Sequence, residues 1–167
     1  MQPPLLPQET LYRVLRLARM DGLGVLMFAT FFALTSAAMG DKTGVILWLL
    51  LGSAGAVELH GAMLLREFEK RGLNWIVASQ FLLLAVVLGQ CLLRLTHYDP
   101  TLMREALTDE MKTTLAQSNY DQEEFLHTVY LTTYSGIAAV FLLYKLGLAL
   151  YFQRRRAAVT AATTLED

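Results

Sequence analysis

The 167-residue chain is 54% hydrophobic and 17% charged, against roughly 45–50% and 25% for soluble domains, and its mean hydropathy is +0.40. Its 14 basic and 15 acidic residues leave a formal net charge of −1, which argues against a nucleic-acid partner. The single cysteine, Cys91, excludes an internal disulfide and any thiol–disulfide exchange, which needs a pair.

The chain opens on MQPPLLP, whose three prolines predict a non-helical, loose start. From Gln8 to Met20, Leu11, Val14, Leu15 and Ala18 fall on one side of a helix while Arg13, Arg16 and Arg19 fan over the other. Such a helix lies in the membrane interface or extends the span that follows. Residues 1–20 are therefore expected to be a flexible N-terminus and an interfacial basic helix, residues 21–156 a membrane domain, and residues 157–167 a C-terminal cytoplasmic tail.

Four apolar blocks follow: Leu23–Met39, Val45–Leu65, Leu73–Leu93 and Val129–Phe152. Each runs for about 17–24 residues with few charges, the length needed to cross a hydrocarbon core. A soluble helical bundle would carry a polar stripe every 3.6 residues, and WLLLGSAGAV and FLLLAVVLG carry none. Basic residues, an apolar run and Ser36-Ala37-Ala38 imitate a signal peptide with its cleavage site. The run is long for such a segment and the next span begins within a few residues, so an uncleaved first span is expected.

If the spans alternate in direction, Arg13, Arg16, Arg19, Arg66, Lys70, Arg71, Arg154, Arg155 and Arg156 share one side. Lys42, Arg94, Arg104 and Lys112 fall on the other. The positive-inside rule places both termini in the cytoplasm, and the location expected is the cell membrane. Gly40-Asp41-Lys42-Thr43 is a tight link that forces a hairpin. Arg66–Asn74 is also short, and Trp75 after it suits an interfacial anchor.

Between the third and fourth spans, residues 96–128 form the one sizeable loop. Asp99-Pro100 is a helix start, and Met103, Leu107, Met111 and Leu115, joined by Ala106, predict an amphipathic outer helix ending near Ser118-Asn119. Asp121 followed by Glu124 is a capping pattern that starts the fourth helix near Gln122. Seven acids against two bases make this loop a solvated acidic cap or a docking surface for a basic or membrane-embedded partner. The fold class expected is all-α: a polytopic membrane protein, a four-transmembrane-helix antiparallel bundle with an amphipathic outer helix between the third and fourth spans.

Within the spans, Glu58 lies eight positions from Arg66, Gln80 nine from Arg71 and Lys145 nine from Arg154. At about 1.5 Å per residue, all three sit roughly 12–14 Å inside the membrane. An isolated charge there costs at least about 2.5–3.5 kcal/mol, which an opposite charge at the same depth offsets. A Glu58–Lys145 contact with Gln80 donating to the Glu58 carboxylate is expected. Ala54, Gly55, Gly61 and Ala62 share the side of Glu58 and permit close helix approach. Gln80 aligns with Val87, Cys91 and Arg94, with Gln90 at its flank, while His60 points away from Glu58.

A second constellation is His97, Glu123, Glu124 and His127. Glu124-x-x-His127 is a spacing used by carboxylate-bridged di-metal bundles, but it occurs once here, so interfacial histidines are the expected reading. No phosphate-cradling glycine loop, zinc-ligand spacing or nucleophile elbow occurs, and no cofactor or catalytic residue is expected. The expected function is a small integral inner-membrane protein serving as a non-catalytic subunit, scaffold or assembly partner. Its partners would be the lipid bilayer and a homo-oligomer or membrane protein docked through the small-residue faces and the acidic outer helix. The alternative is an oligomeric ion or small-solute transporter or channel using Glu58, Gln80 and Lys145.

Overall fold

The computed structural model describes residues 6–118 and 121–164 and is all-helical, with no strand among the described residues. The helices are α1 (Pro7–Ala38), α2 (Lys42–Arg66), α3 (Arg71–Thr96), α4 (Thr101–Glu105), α5 (Asp109–Gln117), α6 (Gln122–Arg154) and α7 (Arg156–Thr164). α1, α2, α3 and α6 are long and apolar enough to cross a membrane, and the four blocks read from the sequence fall in them except for Met39, which caps the end of α1. The chain divides into two compact units: Met1–Val86 with Leu143–Asp167, and Val87–Leu142.

In the first unit, two turns of one design join α1 to α2 and α2 to α3. At the end of α1, Gly40 N–H donates to Ala37 O and Asp41 N–H to Ser36 O, with Gly40 at φ 74°. These are the two bonds of a Schellman stop, and the left-handed residue it requires is glycine here. Asp41 then accepts from Gly44 N–H at 2.9 Å and caps α2. At the end of α2 the same bonds run from Phe68 N–H to Leu65 O and from Glu69 N–H to Leu64 O. The left-handed position is Phe68, at φ 60°, where a side chain costs roughly 1–2 kcal/mol.

Small residues set the crossings between these helices. A Cβ on Gly55 would stand 2.9 Å from Gly22 O, and one on Gly52 would stand 3.3 Å from the Ala29 Cβ. The pairing of 22 with 55 and of 29 with 52 means that α1 and α2 run in opposite directions here. Between α2 and α3, a Cβ on Gly61 would meet Gly72 O at 2.8 Å and Ile76 N at 2.9 Å. Gly55 and Gly61, on the small face of α2, are approached by α1 and α3 of the same chain.

Beyond the crossings, Leu11, Val14, Leu15 and Ala18 of α1 pack with Leu65, Ile76, Phe152, Val159 and Ala162 in one apolar core. This bears on both ends of the chain. Of the two arrangements expected for the basic segment before Met20, the structure has the extension of the first span and not a separate interfacial helix: nothing breaks the helix between Pro7 and that span, and its apolar stripe is buried. Pro7, expected in the non-helical start, lies at the first turn of α1, where a missing N–H costs nothing. The rest of that start, residues 1–5, lies outside the described residues. The expected tail is helical as far as Thr164, with Val159, Ala162 and Thr163 buried; residues 165–167 of that tail lie outside the described residues.

The second unit holds the end of α3, the short helices and the first part of α6. The expected single outer helix is broken between Glu105 and Asp109, and Leu107, expected on its apolar stripe, lies buried in the break. Thr108 causes the restart: its hydroxyl accepts from Met111 N–H at 3.3 Å, and Asp109 and Glu110 occupy the first turn of α5. Of the expected helix end, Ser118 closes on Thr114 O, and Asn119 lies outside the described residues. At the start of α6, Asp121 accepts from Glu123 N–H at 3.3 Å, the cap that the sequence pattern led us to expect.

The α2–α3 crossing is backbone against backbone, whereas nothing lies within 4 Å of a Cβ on Gly24. Gly61→Val is therefore expected to lower unfolding stability in mild detergent by about 1–3 kcal/mol, and Gly24→Val to leave it level or slightly raised. Equal effects of the two substitutions would show that the crossing is not close.

Candidate functional site

Each long helix brings one ionisable or amide side chain to its inward seam in the first unit. On α1, Leu11, Val14, Ala18 and Asp21 follow a spacing of three, four and three residues, so Asp21 continues the buried stripe. On α2, Glu58 lies among buried Ala54, Gly55, Gly61, Ala62 and Leu65. On α3, Gln80 follows Leu73 and Ile76 on the buried side, and on α6 Lys145 precedes Leu148, Ala149 and Phe152. Glu58, Gln80 and Lys145 are each at most 2% exposed.

Asp21 is the acceptor at the centre. Its Oδ2 receives Lys145 Nζ at 2.6 Å and Gln80 Nε2 at 3.4 Å. Its Oδ1 receives the Tyr144 hydroxyl at 3.0 Å. The Lys145 and Asp21 side chains are 2% and 8% exposed, so the ion pair is withdrawn from solvent. Gln80 Nε2 also lies 3.4 Å from Ser79 Oγ, and Ser79 donates to Ile76 O at 2.7 Å. One carboxylate thus gathers three donors from two other helices.

The expected Glu58–Lys145 contact is corrected: Lys145 pairs with Asp21, and the Gln80 amide donates to Asp21. Glu58 has Asp21, Lys145 and Gln80 as polar neighbours, yet its Oε1 is buried with no hydrogen-bond partner. Gln80 Oε1 is in the same position. Two carboxyl groups therefore face one ammonium. Asp21 was missed because the first apolar block begins at Leu23, which leaves Asp21 among residues before the membrane; Tyr144, beside Lys145 in the fourth block, carries no signal of its own in the sequence. The signal was present in the three-and-four spacing that carries Asp21 on from Leu11, Val14 and Ala18.

The secondary candidates lie elsewhere. His60 is exposed on the other side of α2, edge-on to Trp75 with ring centroids 5.8 Å apart. In the second unit, Gln90 is half-buried, and Arg94 contributes a carbonyl that accepts from the Tyr130 hydroxyl at 2.9 Å.

The outer candidates do not assemble into a metal centre. Among the described residues no three His, Cys, Asp or Glu side chains come together in a way that could hold an ion. Glu123 is paired with Arg104, Glu124 is exposed, and His127 packs edge-on to Tyr98 at 5.2 Å. His97 turns its Nδ1 toward Leu93 O, 3.3 Å away on its own helix. Asp99 is a cap: hydrogen bonds from the Thr101 hydroxyl and the Thr101 backbone N–H hold its carboxyl below the usual carboxylate range.

No protein-family model matches the chain, and no curated protein or solved structure is similar to it.

Removing one partner of the Asp21–Lys145 pair strands the other in an apolar setting. Lys145→Met is expected to cost about 3–5 kcal/mol of unfolding stability, Asp21→Asn less because Glu58 remains beside Lys145, and the double variant less than the sum. Additive losses in the cycle would mean that the two side chains do not meet. For Asp99 the folded pKa is depressed, so its contribution is present above the unfolded value and is lost as pH falls through the folded one. Thr101→Val should raise the Asp99 titration midpoint toward the usual carboxylate range in an NMR titration, and an unmoved midpoint would exclude the Thr101 hydroxyl as the cause.

Proposed function

We propose that this chain is a small integral protein of the inner, cell membrane with both termini cytoplasmic. Its four long helices would form an antiparallel bundle, and its role is non-catalytic, as a subunit, scaffold or assembly partner. The observation that carries this reading is the engagement of the buried polar side chains with one another. Asp21 consumes the donors of Lys145, Tyr144 and Gln80, so the chemistry of this site is spent on tying α1, α3 and α6 together. Broad apolar surface supports the membrane setting: Met27, Phe28, Phe31 and Leu34 of α1 are all more than 60% exposed, a surface that suits lipid chains and not water.

The outer helices α4 and α5 fit the same role. Asp99, Glu105, Asp109, Glu110, Asp121, Glu123 and Glu124 make this segment acidic and would offer a surface to a basic or membrane-embedded partner. Among the described residues, Lys112 pairs with Asp109 and Arg104 with Glu123 within it.

A second reading is an oligomeric ion or small-solute transporter or channel using Glu58, Gln80 and Lys145. It is favoured by one observation, the two buried acceptor atoms without donors, Glu58 Oε1 and Gln80 Oε1. Unsatisfied acceptors of this kind are costly in an apolar medium unless a cation, proton or water meets them.

Glu58→Gln separates the readings. In the structural role, the variant keeps its stability to within about 1 kcal/mol, because a neutral amide of the same shape replaces a carboxyl group with no cation of its own. Liposomes carrying wild type and variant should then show the same background proton and sodium flux. Flux that is present with wild type and abolished by Glu58→Gln would overturn the scaffold reading and carry the second.

A further inference from the structure

The termini end of the first unit carries a feature that the polar site does not use. A half-open groove of about 680 Å³ runs along α1 beside the end of α2 and the face of α7. Arg16 and Arg19 of α1 and Arg66 of α2 line it together with Met20, Leu23 and Phe68. Its walls are therefore of two kinds: three arginines, and apolar residues on either side of Arg16 and Arg19 along α1, with Met20 and Leu23 leading to the start of its apolar part.

The arginines are not spent on the protein. Among the described residues, no carboxylate lies in ion-pair range of Arg16, Arg19 or Arg66. Arg16 and Arg66 are exposed and Arg19 is half-buried. The register of α1 on α2 sharpens the point. With Gly22 against Gly55 and the helices antiparallel, Arg19 lies near the level of Glu58 and Arg16 near that of Gly61. Two arginines thus start from positions level with the buried polar site and line the same groove as Arg66. Meanwhile Met20 and Leu23 present large apolar side chains, 65% and 49% exposed, on the same wall.

We infer that this groove binds one anionic phospholipid of the surrounding leaflet, with the headgroup phosphate among Arg16, Arg19 and Arg66 and an acyl chain along Met20 and Leu23. The occupant follows from charge and shape together. Planar guanidinium forks match phosphate oxygens in pairs. A free anion would satisfy the arginines and leave the apolar strip in contact with water, and a neutral lipid would do the reverse. Phe68 completes the wall from the α2–α3 turn, held there by its left-handed backbone position. The inference rests on the membrane setting of the long helices and is independent of whether the polar site serves as a scaffold or a pathway.

The test is lipid retention by the full chain. The protein is reconstituted in nanodiscs of equimolar phosphatidylglycerol and phosphatidylcholine, extracted in mild detergent, and its bound lipid counted by native mass spectrometry. Phosphatidylglycerol should be retained over phosphatidylcholine, and the preference should fall about fivefold for each of Arg16→Gln, Arg19→Gln and Arg66→Gln. Met20→Glu, which leaves all three arginines in place and adds a carboxylate to the groove, should lower it as well. The triple variant Arg13→Gln/Arg71→Gln/Arg154→Gln removes equal charge outside the groove and should leave the preference intact. Equal retention of the two lipids, an equal loss in this triple variant and in Arg16→Gln/Arg19→Gln/Arg66→Gln, or displacement of the lipid by inorganic phosphate alone would overturn the proposal.

Discussion

An ammonium group withdrawn from water inside apolar helices requires a carboxylate, and the arrangement of the first unit depends on how Lys145 obtains one. Asp21 supplies it at 2.6 Å. The pair is tolerable because the remaining lone pairs of Asp21 are also used, by Tyr144 and Gln80. Satisfied in this way, a buried pair contributes more to the choice of one packing arrangement than to net stability, since two apolar residues of the same volume would do as well or better energetically. Any displacement of α1 relative to α6 that opened this contact would strand both charges.

The pair can form only because the helices come close. Gly22 against Gly55 and Gly61 against Gly72 bring backbones to distances that a side chain would forbid, and in an apolar solvent such packing replaces the hydrophobic effect as the force between helices. Two Schellman stops then return the chain with almost no linker. These local devices carry Asp21 to the level of Glu58 and leave Glu58 as the second carboxyl group beside a single ammonium. The cluster is therefore not symmetrical. Its ion pair is complete, and what is left over is one carboxyl oxygen and one amide oxygen, both buried.

The two units differ in character. In the first unit the arginine-bearing half of α1 is fastened by α7, with Val159, Ala162 and Thr163 buried, so the basic residues stand on a packed helix and not on a loose tail. In the second unit the polar side chains meet one another through short-range geometry: Thr108 restarts a helix, Asp99 caps one, and Arg104 reaches Glu123. The outer histidines take part in aromatic and backbone contacts and in no shared site.

Much of this was legible from residue order. The four long apolar helices, the start of α6 after Asp121, and the placing of Glu58, Gln80 and Lys145 on buried faces all follow from periodicity and capping, which act over a few neighbouring residues. The break at Thr108 was legible in principle, as a threonine before two acids, but the apolar spacing across it concealed the cap. What residue order did not decide was which carboxylate meets Lys145. Asp21 and Lys145 are 124 positions apart, and their meeting depends on the extension of α1 beyond its apolar block and on backbone contacts at glycines. Depth counted from the nearest basic residue favoured Glu58, because that count takes every arginine as a membrane boundary. Arg16 and Arg19 are not boundaries: they stand beside the groove, level with α2 positions inside its apolar run. The sequence by itself determined which side chains must be sheltered, since charge and apolarity are properties of single residues. Only the tertiary structure decided who shelters whom, because that is set by helix crossings between residues far apart in the chain.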